Sequence, residues 1–275
     1  MAGGGPAAVV LLFAGLVALS AGLIFAAGAQ AIQHRAEGRA GYDGPSPVLV
    51  FAAAVVASNL LVLAVALVGR PFGLQGATPA GALVGLLVSA VVNVGLIRLL
   101  VVGTGALSWE DMGIRRPSLL ARGDIALGVV LGVAVLYLTA LIGVALLQVL
   151  AQPPPQLPEA TDMTGRLATL LAAAVVAPIS EEIFFRGFTT TAWARSTSPR
   201  RAIVQAGLFF AFTHVLTLGG PTFAVGAQWA LFAFLVRLPV SFSLGWIFLY
   251  RGSLYASIAL HVTFNGLPLL ATLLR

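Results

Sequence analysis

The chain has 275 residues, 59% hydrophobic and 9% charged, with a mean hydropathy of +1.02. Soluble domains carry about 25% charged residues, so a soluble globular protein is excluded and an integral membrane protein is indicated. The formal charge is +6, every basic side chain is an arginine, and the absence of cysteine excludes disulfides, thiol nucleophiles and cysteine-ligated metal.

About 20 apolar residues cross a bilayer, and eight such segments follow one another. They are Ala7–Ala27, Val48–Val68, Ala80–Val102, Ile125–Leu147, Leu167–Phe188, Ile203–Leu218, Phe223–Tyr250 and Leu254–Leu274. The expected fold is all-α, a membrane helical bundle of about eight transmembrane helices. Ala26-Ala27-Gly28-Ala29 offers small residues for signal cleavage, but Met1 to Pro6 carries no Arg or Lys. The first segment therefore reads as a retained helix. The seventh contains Arg237 and Pro239, which predicts a kink or tilt. Residues 1–104 are read as N-terminal helices without diagnostic motifs. Residues 105–275 are read as the core, within one continuous membrane domain.

The arginines set an orientation. Arg35, Arg39, Arg115, Arg116, Arg122, Arg195, Arg200, Arg201 and Arg251 follow the odd-numbered segments, whereas Arg70, Arg166 and Arg275 lie on the other side. The positive-inside rule then makes the richer side cytoplasmic and turns both termini outward. The basic balance is explained by topology and anionic headgroups, so no nucleic-acid partner is expected.

The fifth segment carries Ser180-Glu181-Glu182-Ile183-Phe184-Phe185-Arg186-Gly187. Carboxylates at membrane depth cost a few kcal/mol each, about 2.5–3.5 on insertion scales, so they call for a partner or a use. Arg186 lies four residues after Glu182 and shares its helix face, while Glu181 is turned about 100° away. Glu182 is expected to pair with Arg186, near the cytoplasmic end of the helix. Glu181 is left for chemistry or another partner.

His214 in the sixth segment, alone, reads as a core or interfacial group. His261 and Asn265 share a face of the eighth, and alone they can be interhelical hydrogen-bond glue. Together, a carboxylate pair, two imidazoles and an amide in apolar sequence are expected to converge. A carboxylate and an imidazole can deprotonate a water, and a second imidazole with an amide N–H can stabilise an oxyanion. That kit hydrolyses an acyl bond without a Ser or Cys nucleophile. Two His and a Glu can also bind zinc, but the helix-borne His-Glu-x-x-His signature is absent. No required metal is expected; a divalent ion such as zinc, if used, would draw on Glu181, His214 and His261.

Glu181-Glu182-x-x-x-Arg186, Phe210-x-x-x-His214 and His261-x-x-x-Asn265 resemble, in order, the motifs of the CPBP intramembrane proteases, the CAAX- and bacteriocin-processing enzymes also called the Abi family. Trp109-Glu110-Asp111-Met112-Gly113-Ile114 and Arg251-Gly252-Ser253-Leu254 look like that family's loop before the core and its turn before the last motif helix. The resemblance covers about residues 105–272. It implies a membrane-embedded protease, metalloendopeptidase-like or glutamate-type, in the cell membrane and open to the cytoplasmic side. Its partners would be the bilayer and a membrane-associated peptide or protein substrate. It implies that Glu181 is the general base with His214, that His261 and Asn265 stabilise the oxyanion, that Glu182 and Arg186 aim Glu181, and that Phe210 packs near the site. Two rivals stand beside it: a non-proteolytic scaffold or bacteriocin self-immunity protein of the same fold, and a proton- or solute-coupled carrier. No inverted repeat supports the carrier.

Overall fold

A computed structural model of the chain describes residues 6–38, 40–74, 78–115 and 119–273. Most of the Met1–Pro6 region, together with Arg39, Arg116 and Arg275, lies outside the described residues. Among those described there are no strands and eight principal helices. They are α1 (Pro6–Ala36), α2 (Pro47–Gly69), α3 (Pro79–Val102), α4 (Leu119–Leu146), α5 (Met163–Ser196), α6 (Pro199–Thr213), α7 (Phe223–Arg251) and α8 (Leu254–Leu273). Seven of them are long and apolar enough to cross a membrane. The chain is an integral membrane helical protein.

Local chemistry sets the helix starts. The Thr78 hydroxyl accepts from the Gly81 N–H (3.0 Å) ahead of α3. The Asp162 carboxylate does the same for Gly165 (2.6 Å) ahead of α5, and Thr222 for Val225 (3.3 Å) ahead of α7. Each satisfies one of the N–H groups that a helix start leaves unpaired. Pro47, Pro79 and Pro199 open α2, α3 and α6, where a missing N–H costs nothing. α7 runs unbroken through Pro239 and ends at Gly252, whose φ of +56° suits glycine and whose N–H returns to the Phe248 carbonyl (2.8 Å).

Several helices depart from the expected bounds, and α1 runs on to Ala36, nine residues beyond Ala27. α6 is 15 residues long and stops at Thr213 rather than Leu218. At 1.5 Å per residue it measures roughly 22 Å, short of a bilayer core. Gly219, Gly220 and Pro221 follow closely and cannot extend it. α5 does not end at Phe188 but continues to Ser196, about two turns further. Phe184, Phe185 and Phe188 are buried ahead of that continuation and Thr189 and Thr190 within it, which gives the helix a reason to persist.

The chain forms two compact units. The first comprises residues 1–108 and 159–172, with α1 packed on α2, α2 on α3, and α3 on the start of α5. Within it Arg35 pairs with Asp43 (3.3 Å), and His34 Nδ1 donates to the Gly44 carbonyl (2.8 Å). The second comprises residues 109–158 and 173–275 and contains α4, the remainder of α5, and α6 to α8. Its apolar core joins Val135 of α4, Val240, Leu244 and Ile247 of α7, and Ala256 and Leu260 of α8.

The contact of α4 with α8 is close because of two glycines. A Cβ on Gly128 would run into the Ala256 carbonyl oxygen, and one on Gly132 would lie 2.8 Å from the Leu260 carbonyl oxygen. These are backbone atoms, so α8 itself must move if either position gains a side chain. Gly132→Leu is expected to destabilise the protein by about 1–3 kcal/mol, as other overpacked cores do. Thermal unfolding in detergent checks this, with Gly123→Ala as the control. Gly123 lies on the same helix with nothing within 4 Å of a Cβ, and this variant should unfold no earlier than wild type.

One end of this second unit is tied together by polar contacts. Arg195 pairs with Asp111 (2.5 Å) and Arg251 with Asp124 (2.6 Å). The Leu254 N–H donates to the Gly113 carbonyl (3.0 Å), and the Tyr255 hydroxyl donates to the Arg115 carbonyl (2.6 Å). These bonds strap the segment Trp109–Arg115 to the α7–α8 turn. The fully buried Met112 then packs against Gly187 of α5.

Candidate active site

The site is built on α5, whose helix widens over Ile183–Thr190 into π-type turns. The Thr190 hydroxyl donates to the Phe185 carbonyl, five residues back, at 2.8 Å. Such wide turns are frequent at functional sites. Just before it stand Glu181 and Glu182, and the two carboxylates have opposite surroundings.

Glu182 is fully buried. Its Oε1 lies 3.1 Å from Arg186 Nη1, one turn on, and accepts from His261 Nδ1 of α8 at 2.9 Å. The Arg186 contact is a close charge pair set off the hydrogen-bond axis. The other guanidinium nitrogen, Nη2, donates to the Ser241 carbonyl of α7 at 3.2 Å. The guanidinium lies over the Phe210 ring, 4.3 Å from its centre. Buried in this way, Arg186 is held by an anion, a carbonyl and an aromatic face, which is what a desolvated cation requires.

Phe210 is the hub. Its ring meets Phe185 edge-on (5.0 Å), His214 (4.5 Å) and His261 (5.8 Å), as well as Arg186. Phe210→Ala is expected to cost about 3–5 kcal/mol, the usual range for a buried phenylalanine. Phe210→Leu should recover part of the packing but none of the cation–π contact. Chemical or thermal unfolding of both variants distinguishes the two contributions.

Glu181 is about a quarter exposed, and its Oε2 lies between two imidazoles: His214 Nε2 at 3.9 Å and His261 Nε2 at 3.8 Å. Both rings have a fixed orientation. His214 stands directly after the last residue of α6, and its Nδ1 donates to the Phe210 carbonyl at 2.8 Å. A carbonyl only accepts, so Nδ1 carries a proton and Nε2 is left toward Glu181. His261 is fixed in the same sense, because Nδ1 donates to the Glu182 carboxylate. Second contacts of this kind set a histidine's tautomer and ring direction.

Asn265, one turn beyond His261, donates from Nδ2 to the Ala173 carbonyl at 2.9 Å. That bond uses one of the two amide N–H groups. Ala173 lies in a second wide turn of α5, Leu171–Val176.

The structure thus gathers Glu181, Glu182, Arg186, Phe210, His214 and His261 in one cluster and sets Asn265 one turn further along α8. The Glu182–His261 bond was not foreseen, because the two residues lie 79 positions apart and both had other assignments. Arg237 of α7 was read only as a charge beside a proline. Its guanidinium interacts electrostatically with Glu181 and His214. A lone arginine within an apolar helix was the available signal.

The donors also bear on metal. Tetrahedral zinc with ligands at about 2.0–2.1 Å places the ligand atoms roughly 3.3 Å apart. The spacings about Glu181 Oε2 are wider, 3.8 and 3.9 Å. Among the described residues no three His, Asp or Glu side chains gather into a metal-holding group. As placed, these donors do not fit a zinc ion.

Residues 163–267 match the family model described as Rce1-like, Type II CAAX prenyl endopeptidase Rce1-like. No curated protein and no solved structure matches the chain. The matched stretch contains every motif residue of the cluster, from Glu181 to Asn265. Over residues 163–267 the chain is similar to the Rce1-like type II CAAX prenyl endopeptidases, in keeping with the CPBP/CAAX-protease family.

Proposed function

We propose that this protein hydrolyses a peptide bond of a membrane-associated substrate with a water activated by Glu181 and His214, without a required metal. The observation that carries the reading is the placement of Glu181 Oε2 between two imidazole Nε2 atoms, each ring directed by its own Nδ1 bond. A water held by Glu181 and the His214 Nε2 lone pair gives its proton to the Glu181 carboxylate. Its oxygen bonds to the scissile carbonyl carbon, and the C=O electron pair moves onto oxygen. That oxyanion accepts from His261 Nε2–H and from the second amide N–H of Asn265. Glu182 supports the doubly protonated His261 ring that this role requires. Collapse re-forms the carbonyl, breaks the C–N bond, and the leaving amine takes the proton from Glu181.

Residues 105–275 serve as the catalytic core in this reading, with residues 1–104 accessory to it. The arginine distribution supports an active site open to the cytoplasmic side of the cell membrane. The test incubates purified protein in nanodiscs with soluble and membrane-anchored peptides, with and without chelator, read by mass spectrometry. Cleavage that survives chelation supports the reading, and loss on chelation argues for a metal on His214, His261 and Glu181. Absence of any cleavage, with the fold intact, favours the scaffold or self-immunity alternative.

A further inference from the structure

Arg237 is a charge that the proposed mechanism leaves unused. It stands in the interior of α7, fourteen residues before the end of that helix at Arg251, and is only partly exposed. An arginine at membrane depth is expensive and is usually paired or functional. Among the described residues no carboxylate lies within ion-pair contact of Arg237. The one hydrogen bond of its side chain there runs from Nη1 to the Ala233 carbonyl of its own helix, at 2.9 Å. That bond curls the side chain back along α7, as helical side chains tend to lean.

The face of α7 that carries Arg237 also meets the site. Ser241 lies one turn further along the same face, and its hydroxyl donates to the Arg237 carbonyl at 2.7 Å. The Ser241 carbonyl accepts from Arg186, the cation that holds Glu182. Arg237 is therefore one helical turn from a direct contact with the cluster. Glu181 and His214 are the groups with which its charge interacts. The buried charges nearby are already matched, since Glu182 faces both Arg186 and His261. Glu181 is held only loosely, with imidazoles at 3.8 and 3.9 Å, and Arg237 is the cation near it that no carboxylate contacts among the described residues.

We propose that Arg237 is a charge-positioning residue of the active site, a fixed cation opposite Glu181 that stands off from contact with it. The inference rests on the proteolytic reading above. In the resting site the guanidinium offsets the Glu181 carboxylate. When the water proton neutralises Glu181, the negative charge passes to the tetrahedral oxygen and the same cation offsets it there. A preformed charge does this without reorganising during the reaction. The stand-off matters, because an arginine in direct contact would occupy the oxygen that must take the water proton.

The test compares wild type, Arg237→Gln and Arg237→Lys on a peptide that wild type cleaves. Arg237→Gln should lower kcat by about tenfold or more with KM little changed, and Arg237→Lys should restore most of the rate. A rise in KM at unchanged kcat, or a lysine variant as slow as the glutamine one, overturns the proposal. A second measurement needs no substrate. Thermal unfolding of Glu181→Gln, Arg237→Gln and the double variant forms a cycle. The double variant should lose less stability than the two single losses added. Strict additivity overturns the charge pairing whatever the activity. Coupling without cleavage by wild type leaves the pairing standing and removes the protease reading.

Discussion

Glu181→Gln is expected to reduce cleavage by about 10²- to 10⁴-fold, the usual contribution of a positioned general base, while the protein folds as before. The amide has nearly the same shape as the carboxylate but cannot take a proton from water at neutral pH. The side chain is about a quarter exposed, and its two imidazole neighbours stand at 3.8 and 3.9 Å, beyond hydrogen-bond distance. Little folding energy is therefore invested in its imidazole contacts, and the longer-range coupling to Arg237 is lost. Single-turnover cleavage of a membrane-anchored peptide, run beside a melting curve in the same detergent, separates the two effects. A variant that cleaves at the wild-type rate would remove Glu181 from the mechanism. A variant that fails to fold would show that its charge is structural.

Glu182→Leu is expected to do the opposite and unfold the protein. Here the carboxylate is wholly buried and holds two groups at once, Arg186 at 3.1 Å and His261 at 2.9 Å. Removing one partner of a buried ion pair costs about 3–5 kcal/mol, because the other charge stays buried without compensation. Glu182→Gln divides the effect. Its amide oxygen can still accept from His261 Nδ1, but it no longer neutralises Arg186. This variant should retain more of the His261 orientation while still losing stability. Adding Arg186→Met to Glu182→Leu removes the stranded charge, so the pair should be more stable than Glu182→Leu alone. Denaturation midpoints in detergent check the order. Equal midpoints for wild type and Glu182→Leu would show that the cluster is not what holds α5 to α8.

The adjacent glutamates have different surroundings for a simple geometric reason. Successive residues on a helix point about 100° apart. Glu182 is buried against Arg186 of its own helix and His261 of α8, and Arg186 in turn donates to the Ser241 carbonyl of α7. Glu181 is directed to the more open side, where two imidazoles flank it without closing on it. A tightly bonded carboxylate makes a poor base but a good anchor, and a loosely held one is free to exchange a proton.

Much of this was legible in the chain itself. A strongly apolar composition with few charges could only belong in a membrane. The i,i+4 spacing of Glu182 and Arg186 follows from helical periodicity, which any helix imposes locally. The motif set from Glu181 to Asn265 pointed to the family that the match over residues 163–267 supports. Local rules failed where distant residues decide. The fifth segment is expected to end at Phe188, where its apolar run gives way to three threonines. Burial of Phe184, Phe185 and Phe188 by neighbouring helices carries α5 onward to Ser196. α6 looked like a full span because hydropathy does not register that His214, bonded back to Phe210, stands just beyond its last turn. The bond from His261 to Glu182, the seat of Arg186 over Phe210 and the approach of α8 to Gly128 and Gly132 join residues far apart in sequence. Periodicity determined which side chains share a face of one helix. Only packing between helices decided which faces meet, because that depends on side-chain volume and charge brought together from separate parts of the chain.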